Sequence, residues 1–226
     1  MNRKICVAIG ERSPEKALET ARMVKGADVI EIRLDYFQQV EPEPFIKELT
    51  PEILFTCRPV WEGGLFKGDE DERLAILLKA VQAGADYIDV ELEASAEMYK
   101  RLDEAIEASG GKTKKIVSSH DFSSTRKFDD LVDLVERMIE KDADIGKLIT
   151  TATDSVDVLR VFNLLEYAKN RNFPLISFCM GEIGAVSRLA SCDMGGYMTY
   201  CSADGQPVTA PGQISVSDLK RIYSLY

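Results

Sequence analysis

The chain has 226 residues, 45% hydrophobic and 29% charged, enough apolar content to bury a core and to exclude a disordered chain. Lys and Arg number 28 against 38 Asp and Glu, and the formal net charge of -10 sets the chain against phosphate backbones and anionic membranes, so neither nucleic acid nor a membrane is expected as a partner. No apolar run reaches the roughly 18 residues of a membrane helix, and Met1 to Ile5 lead into a strand-like run instead of a signal-peptide core.

Along the chain, short β-branched runs alternate with longer stretches of helical period. The first strand is expected over 4–9, and Ser13, Pro14 and Glu15 then supply an N-cap, a proline at the first helical position and an acid in the first turn. The second strand, 29–34, carries Glu31, Arg33 and, just beyond, Asp35 on one alternating face. The third, 53–57, ends at Arg58 and is followed by Glu62, Gly63 and Gly64. Asp69 to Glu72 load acid onto the start of a helix that runs to Ala83 and stops at Gly84.

The fourth strand, 87–91, places Asp89 and Glu91 on one face, and the fifth, 115–119, leads into His120 and Asp121. Leu131, Leu134, Val135, Met138 and Ile139 form one helical stripe, and Val158, Val161, Phe162 and Leu165 form another. Between them lies the sixth strand, 146–150, with Lys147 inside it. Strands over 175–179 and 198–201 follow, and Ser215 to Asp218 read as a capping box opening the last helix.

Eight strand–helix units of roughly 28 residues predict an α/β chain folded as a single (β/α)8 TIM barrel over 1–226, near the short end for that fold. Several strands are apolar on both faces, as parallel strands covered by helices are. A doubly wound open sheet is the competing architecture, but no GxGxxG follows the first strand and no GxxxxGK[ST] occurs.

The five cysteines, at 6, 57, 179, 192 and 201, are odd in number and form no CxxC pair, which reads as reduced thiols in a cytoplasm. One histidine and no paired ligand spacing argue against zinc.

Charged side chains on barrel strands are costly unless they stand at the C-terminal mouth and act there. Glu31 and Arg33 also fit a buried ion-pair lattice with Arg58 as partner, and His120 also fits a satisfied structural group. Lys147 is the least easily explained as structure. It sits in an apolar strand, with Asp144 its nearest carboxylate in sequence. Burial of a lysine favours the neutral amine, which is a nucleophile. Farther on, the glycine-bearing segment after Met180 leads to Arg188, and the segment from Thr209 to Gln213 looks like a lid loop.

Together, Glu31-Ile32-Arg33-Leu34-Asp35, Arg58 with Glu62-Gly63-Gly64, Tyr87-Ile88-Asp89-Val90-Glu91, Ser118-Ser119-His120-Asp121-Phe122, Ile145-Gly146-Lys147, Gly184 to Arg188 and Ala210-Pro211-Gly212-Gln213 resemble the type I 3-dehydroquinate dehydratases of the shikimate pathway. The pieces run in the family's order over nearly the whole chain. The resemblance implies a cytoplasmic enzyme of the third step of chorismate biosynthesis, acting on 3-dehydroquinate as its small-molecule substrate. It implies a homodimer with no metal and no organic cofactor.

By the same resemblance, Lys147 matches the Schiff-base lysine, His120 the proton donor and acceptor of a syn elimination, and Glu62 the carboxylate that orients His120. Arg188 matches the arginine holding the substrate carboxylate, with Thr209 and Gln213 as lid residues near it. Glu31, Arg33 and Arg58 match residues bonding the ring hydroxyls, and Met180 matches an apolar wall. Ala8 stands where some members place a substrate-touching serine. A class I aldolase is the alternative enzyme, although the late loops offer Arg188 and Gln213 in place of phosphate-binding glycines. A non-catalytic barrel is a third reading, and it would need neither Lys147 nor His120.

Overall fold

The structure, a computed structural model, describes residues 3–206, 210 and 212–225. Among them eight strands form one sheet: β1 (Ile5–Ile9), β2 (Val29–Arg33), β3 (Glu52–Thr56), β4 (Tyr87–Glu91), β5 (Lys114–His120), β6 (Ile145–Thr151), β7 (Leu175–Met180) and β8 (Thr199–Ser202). A helix follows each in turn: α1 (Pro14–Met23), α2 (Glu43–Glu48), α3 (Glu70–Ala83), α4 (Ala96–Ala108), α5 (Phe128–Glu140), α6 (Ser155–Asn170), α7 (Ala185–Ala190) and α8 (Val216–Tyr223). The strand order is β7-β6-β5-β4-β3-β2-β1-β8, with every ladder parallel. The two outer strands approach where the Tyr197 N–H donates to Leu175 O at 2.8 Å, which nearly closes the sheet into the expected (β/α)8 TIM barrel.

Strand alternation divides the core in two. Ile5, Val7, Ile30, Ile32, Ile53 and Phe55 face outward and pack under the helices, where the apolar stripe of α5 is buried as its spacing predicts. Val29, Leu54, Tyr87, Ile116, Ile145 and Ile176 face inward and fill the N-terminal half of the barrel. Farther along the same strands the inward positions turn polar, from Glu31 and Thr56 to Asp89, Ser118 and Lys147, all buried. The site therefore lies at the C-terminal mouth, above an apolar floor.

Helix ends follow the local chemistry. The Ser13 side chain caps α1 by accepting from the Lys16 N–H at 3.3 Å, and Gly84 ends α3 in the left-handed region at φ 94°. At α8 the Ser215 hydroxyl accepts from the Asp218 N–H and also meets the Asp218 carboxylate at 2.8 Å, so the expected box closes through the hydroxyl. Full reciprocal boxes stand at Asp69 with Glu72 and at Asp154 with Asp157. The β5 strand runs one residue past the expected 119, because His120 stays in register with Ile149 of β6. All five cysteines are free and buried. Among the described residues no helix is long and apolar enough to cross a membrane.

Candidate active site

The mouth of the barrel holds a cavity with about 570 Å³ of empty space, partly open to solvent. Glu31, Arg33, Arg58, Glu62, His120, Lys147, Met180, Arg188 and Gln213 all line it. Nine of the ten expected site residues are thus brought together from β2, β5, β6 and β7, the segments after β3 and β8, and α7. The tenth, Thr209, lies outside the described residues. Ala8 lines the cavity as well, where it presents a methyl group and no hydroxyl.

Lys147 projects inward from the middle of β6 and is 4% exposed. Its Nζ lies 2.9 Å from Asp89 Oδ2 and 3.3 Å from Glu31 Oε1, and 4.5 Å above the Tyr200 ring. Along the chain the nearest carboxylate to Lys147 is Asp144. The true partners come from β4 and β2, and Asp144 instead accepts from the Lys115 N–H. Burial alone would push the Asp89 carboxyl up, but Arg58, Lys147 and His120 outweigh it and hold Asp89 well below the usual carboxylate range.

Arg58 does not pair with Glu31, as a simple ion-pair lattice would have it. Its Nη2 donates to Asp89 Oδ2 at 2.7 Å, and its Nη1 donates to Glu91 Oε1 at 2.8 Å and to Ser118 Oγ at 2.6 Å. Glu31 accepts from the Thr56 hydroxyl at 2.9 Å in addition to Lys147. Arg33 is held in a two-pronged pair by Asp35, at 2.9 and 2.8 Å. Asp35 also accepts from the Leu65 N–H at 3.0 Å, tying the end of β2 to the loop that carries Glu62.

That loop is built by its glycines. A short 3-10 turn, Val60–Glu62, ends on Gly63 at φ 75°, which favours glycine. Gly64 passes so close to β3 that an added Cβ would stand 2.0 Å from the Arg58 carbonyl oxygen. The turn places Glu62 Oε2 2.7 Å from His120 Nδ1 at the end of β5. Burial pushes the Glu62 carboxyl up to about 8, against the pull of Arg58 and with the push of Glu91 and Asp89. Burial, then Arg58 and Lys147, drive His120 well below its ordinary value. Burial therefore drives both members of the pair toward their neutral forms.

Arg188 reaches the cavity from α7. Gly184 lets this short helix sit on the end of β7, because a Cβ there would lie 2.5 Å from the Met180 carbonyl oxygen. The Ser187 hydroxyl donates to Gly184 O at 2.6 Å and accepts from the Cys179 N–H at 2.8 Å. The Thr199 hydroxyl donates to Arg188 O at 2.7 Å. The guanidinium stacks 4.3 Å from the Phe178 ring centroid, and burial lowers its pKa to about 10, so it stays cationic at neutral pH. Met180, buried at the end of β7, lines the same cavity.

The sequence reading missed Tyr200, Phe178 and Thr56 as lining residues. Alternation carries the signal for Tyr200, since Met198 and Tyr200 share one inward face, but nothing local says which of them reaches the mouth. Among the described residues no three His, Cys, Asp or Glu side chains gather at a spacing that suits a metal ion.

Comparison with known proteins matches this architecture. Residues 5–226 match the family model for Type I 3-dehydroquinase. A 3-dehydroquinate dehydratase from Desulfotalea psychrophila is 52% identical over 225 residues, covering 100% of this chain and 99% of that protein. The chloroplastic bifunctional 3-dehydroquinate dehydratase/shikimate dehydrogenase of Arabidopsis thaliana is 41% identical, covering 97% of this chain and 36% of that one. A solved type I 3-dehydroquinate dehydratase from Clostridium difficile superposes with a TM-score of 0.86 at 30% identity, covering 99% of this chain and 92% of that one. With the family match running from the first strand to the last residue, this chain belongs to the type I 3-dehydroquinases.

Proposed function

We propose that Lys147 is the Schiff-base nucleophile and His120 the proton shuttle by which this chain turns 3-dehydroquinate into 3-dehydroshikimate. Membership of the family makes the chain a hydro-lyase of the shikimate pathway, a type I 3-dehydroquinate dehydratase. One observation carries the assignment of roles. The amine of β6 and the imidazole of the adjacent strand β5 line one cavity, with Glu62 bonded behind the imidazole.

The Lys147 amine adds to the C3 ketone, and loss of one water gives the iminium. The iminium draws electrons from the neighbouring C2–H bond, so His120 takes that proton and an enamine forms. His120 then returns a proton to the C1 hydroxyl, which leaves as a second water from the same face. Hydrolysis of the iminium consumes one water and frees the amine, so the net change is the loss of one water. The iminium supplies the electron sink, so the scheme calls for no metal and no organic cofactor.

Arg188 binds the substrate carboxylate, with Gln213 and Thr209 closing over it, while Glu31, Arg33 and Arg58 bond the ring hydroxyls and Met180 walls the ring. The Clostridium difficile relative is described with a covalently modified comenic acid, which fits a site that bonds its ligand. The same reading makes the chain one catalytic domain, cytoplasmic and homodimeric. Five buried free thiols suit a reducing compartment, and sedimentation analysis checks the dimer.

The deciding experiment traps the iminium. Incubation with 3-dehydroquinate and borohydride is expected to add one reduced ligand mass to Lys147, with no adduct in Lys147→Ala. Normal turnover without an adduct would overturn the role of Lys147.

A further inference from the structure

Glu91 has no place in the scheme above, and neither has Arg73, which reaches it from outside the barrel. Arg73 stands in the first turns of α3 and is 2% exposed. Its Nη1 is paired with Glu91 Oε2. Its Nη2 faces Met98 Sδ at 3.3 Å and Glu70 Oε1 at 3.6 Å. The other oxygen of Glu91, Oε1, takes the Arg58 Nη1 at 2.8 Å. That same Nη1 lies 3.9 Å from Glu62 Oε2, the oxygen bonded to His120. Two carboxylates, Glu91 and Glu62, therefore share one edge of one guanidinium.

We propose that Arg73 is a positioning residue for the reaction: by occupying half of Glu91, it leaves the Arg58 guanidinium facing Glu62 and so keeps the Glu62–His120 pair able to act as a base. This inference rests on the proposed roles of Glu62 and His120.

The physical argument is one of competition. Glu91 has two oxygens and two arginines, one for each. Without Arg73 its second oxygen would turn to Arg58 and draw Nη1 away from Glu62, the more exposed and weaker contact. Glu62 would then lose its nearest cation while a less neutralised Glu91 stands nearby, and both changes favour the protonated carboxyl. A protonated Glu62 donates to His120 Nδ1, which forces the ring proton onto Nε2 and removes the base.

The other groups around the chain of charges do not change that sign. Glu62 is faced by Arg58, His120, Asp89 and Glu91. Glu91 is faced by Arg58, Arg73 and Asp89, and Tyr99 of α4 donates its hydroxyl to the Glu91 backbone oxygen at 2.9 Å. Ser118 and Asp89 complete the partners of Arg58 without touching Arg73.

The test measures the pH profile of kcat/KM for 3-dehydroquinate in the parent chain, Arg73→Met, Arg73→Lys and Glu91→Gln. In Arg73→Met the acidic limb is expected to move up by about half a unit and turnover at neutral pH to fall by up to about threefold. Arg73→Lys, which keeps the cation, restores most of the limb. Glu91→Gln removes the competing anion and moves the limb the opposite way. Opposite directions from two partners of one ion pair are a signature that general loosening of the fold does not produce.

Arg73→Met leaves the buried Glu91 with Arg58 alone and can fail to fold; Arg73→Lys and Glu91→Gln, the latter of equal volume, then carry the test together. A limb that stays in place in Glu91→Gln, or one that moves the same way in both variants, overturns the inference. Failure of the underlying reading looks different: turnover would survive in His120→Ala, and the parent itself would lack the limb.

Discussion

His120 Nδ1 and Glu62 Oε2 are 2.7 Å apart, and that single contact decides which face of the imidazole can take a proton. An ionised Glu62 accepts the Nδ1 hydrogen bond and leaves Nε2 as the basic nitrogen of the ring. A protonated Glu62 donates instead and turns Nε2 into a donor. The proton between them belongs to the pair, and the pair titrates as a unit.

The acidic limb of kcat/KM should therefore follow the pair. Burial pushes Glu62 up to about 8, so the active form, with Glu62 ionised, is present above that value and lost as pH falls through it. In Glu62→Gln the amide oxygen still accepts from Nδ1, so the limb should fall toward the lowered value of His120. Turnover should drop about tenfold or more, because nothing then stabilises the imidazolium. Steady-state profiles of parent and variant check both directions. His120→Ala should lose about 10²–10⁴ in kcat with a far smaller change in KM.

Arg188 predicts a different kinetic signature. Its guanidinium is preorganised by stacking on Phe178 and by the α7 contacts. Arg188→Lys keeps the charge but loses the fork, and should raise KM about tenfold while kcat changes little. A fall in kcat with an unchanged KM would place Arg188 in the chemical step instead.

Gly64 tests the loop that carries Glu62. An alanine there would set its Cβ 2.0 Å from the Arg58 carbonyl oxygen. Relief requires backbone movement, so Gly64→Ala should lose about 1–3 kcal/mol in urea unfolding. It should also lose turnover, because the displaced turn carries Glu62 away from His120.

The opposite end of the barrel gives the control. The Tyr87 hydroxyl takes Lys4 Nζ at 2.7 Å, donates to Glu52 Oε2 at 3.1 Å and meets the Tyr197 hydroxyl at 3.1 Å. Tyr87→Phe removes all three bonds at the floor and should lower stability by about 1–2 kcal/mol. Its kcat/KM should match the parent in the same preparation.

Period-two alternation with apolar faces and helical stripes such as Leu131 to Met138 made the barrel legible in the sequence, because those patterns follow from local geometry. Glu31, Arg33, His120 and Lys147 stood out because charge inside a strand is unusual without a task. Glu62, Arg188 and Gln213 were legible through family resemblance, since their spacing alone has no chemistry in it.

The amino-acid order by itself settled the number of strand–helix units, which polar side chains share one face of a strand and the presence of a lysine on one of them. Only the tertiary structure decided partners. Asp89 and Glu31 meet Lys147 from 58 and 116 residues away, and Arg58 turned from Glu31 to Asp89 and Glu91. Alternation fixes the direction a side chain points. Which charges it meets depends on barrel curvature and strand register, and a nearly closed ring of parallel strands brings together residues that no local pattern relates.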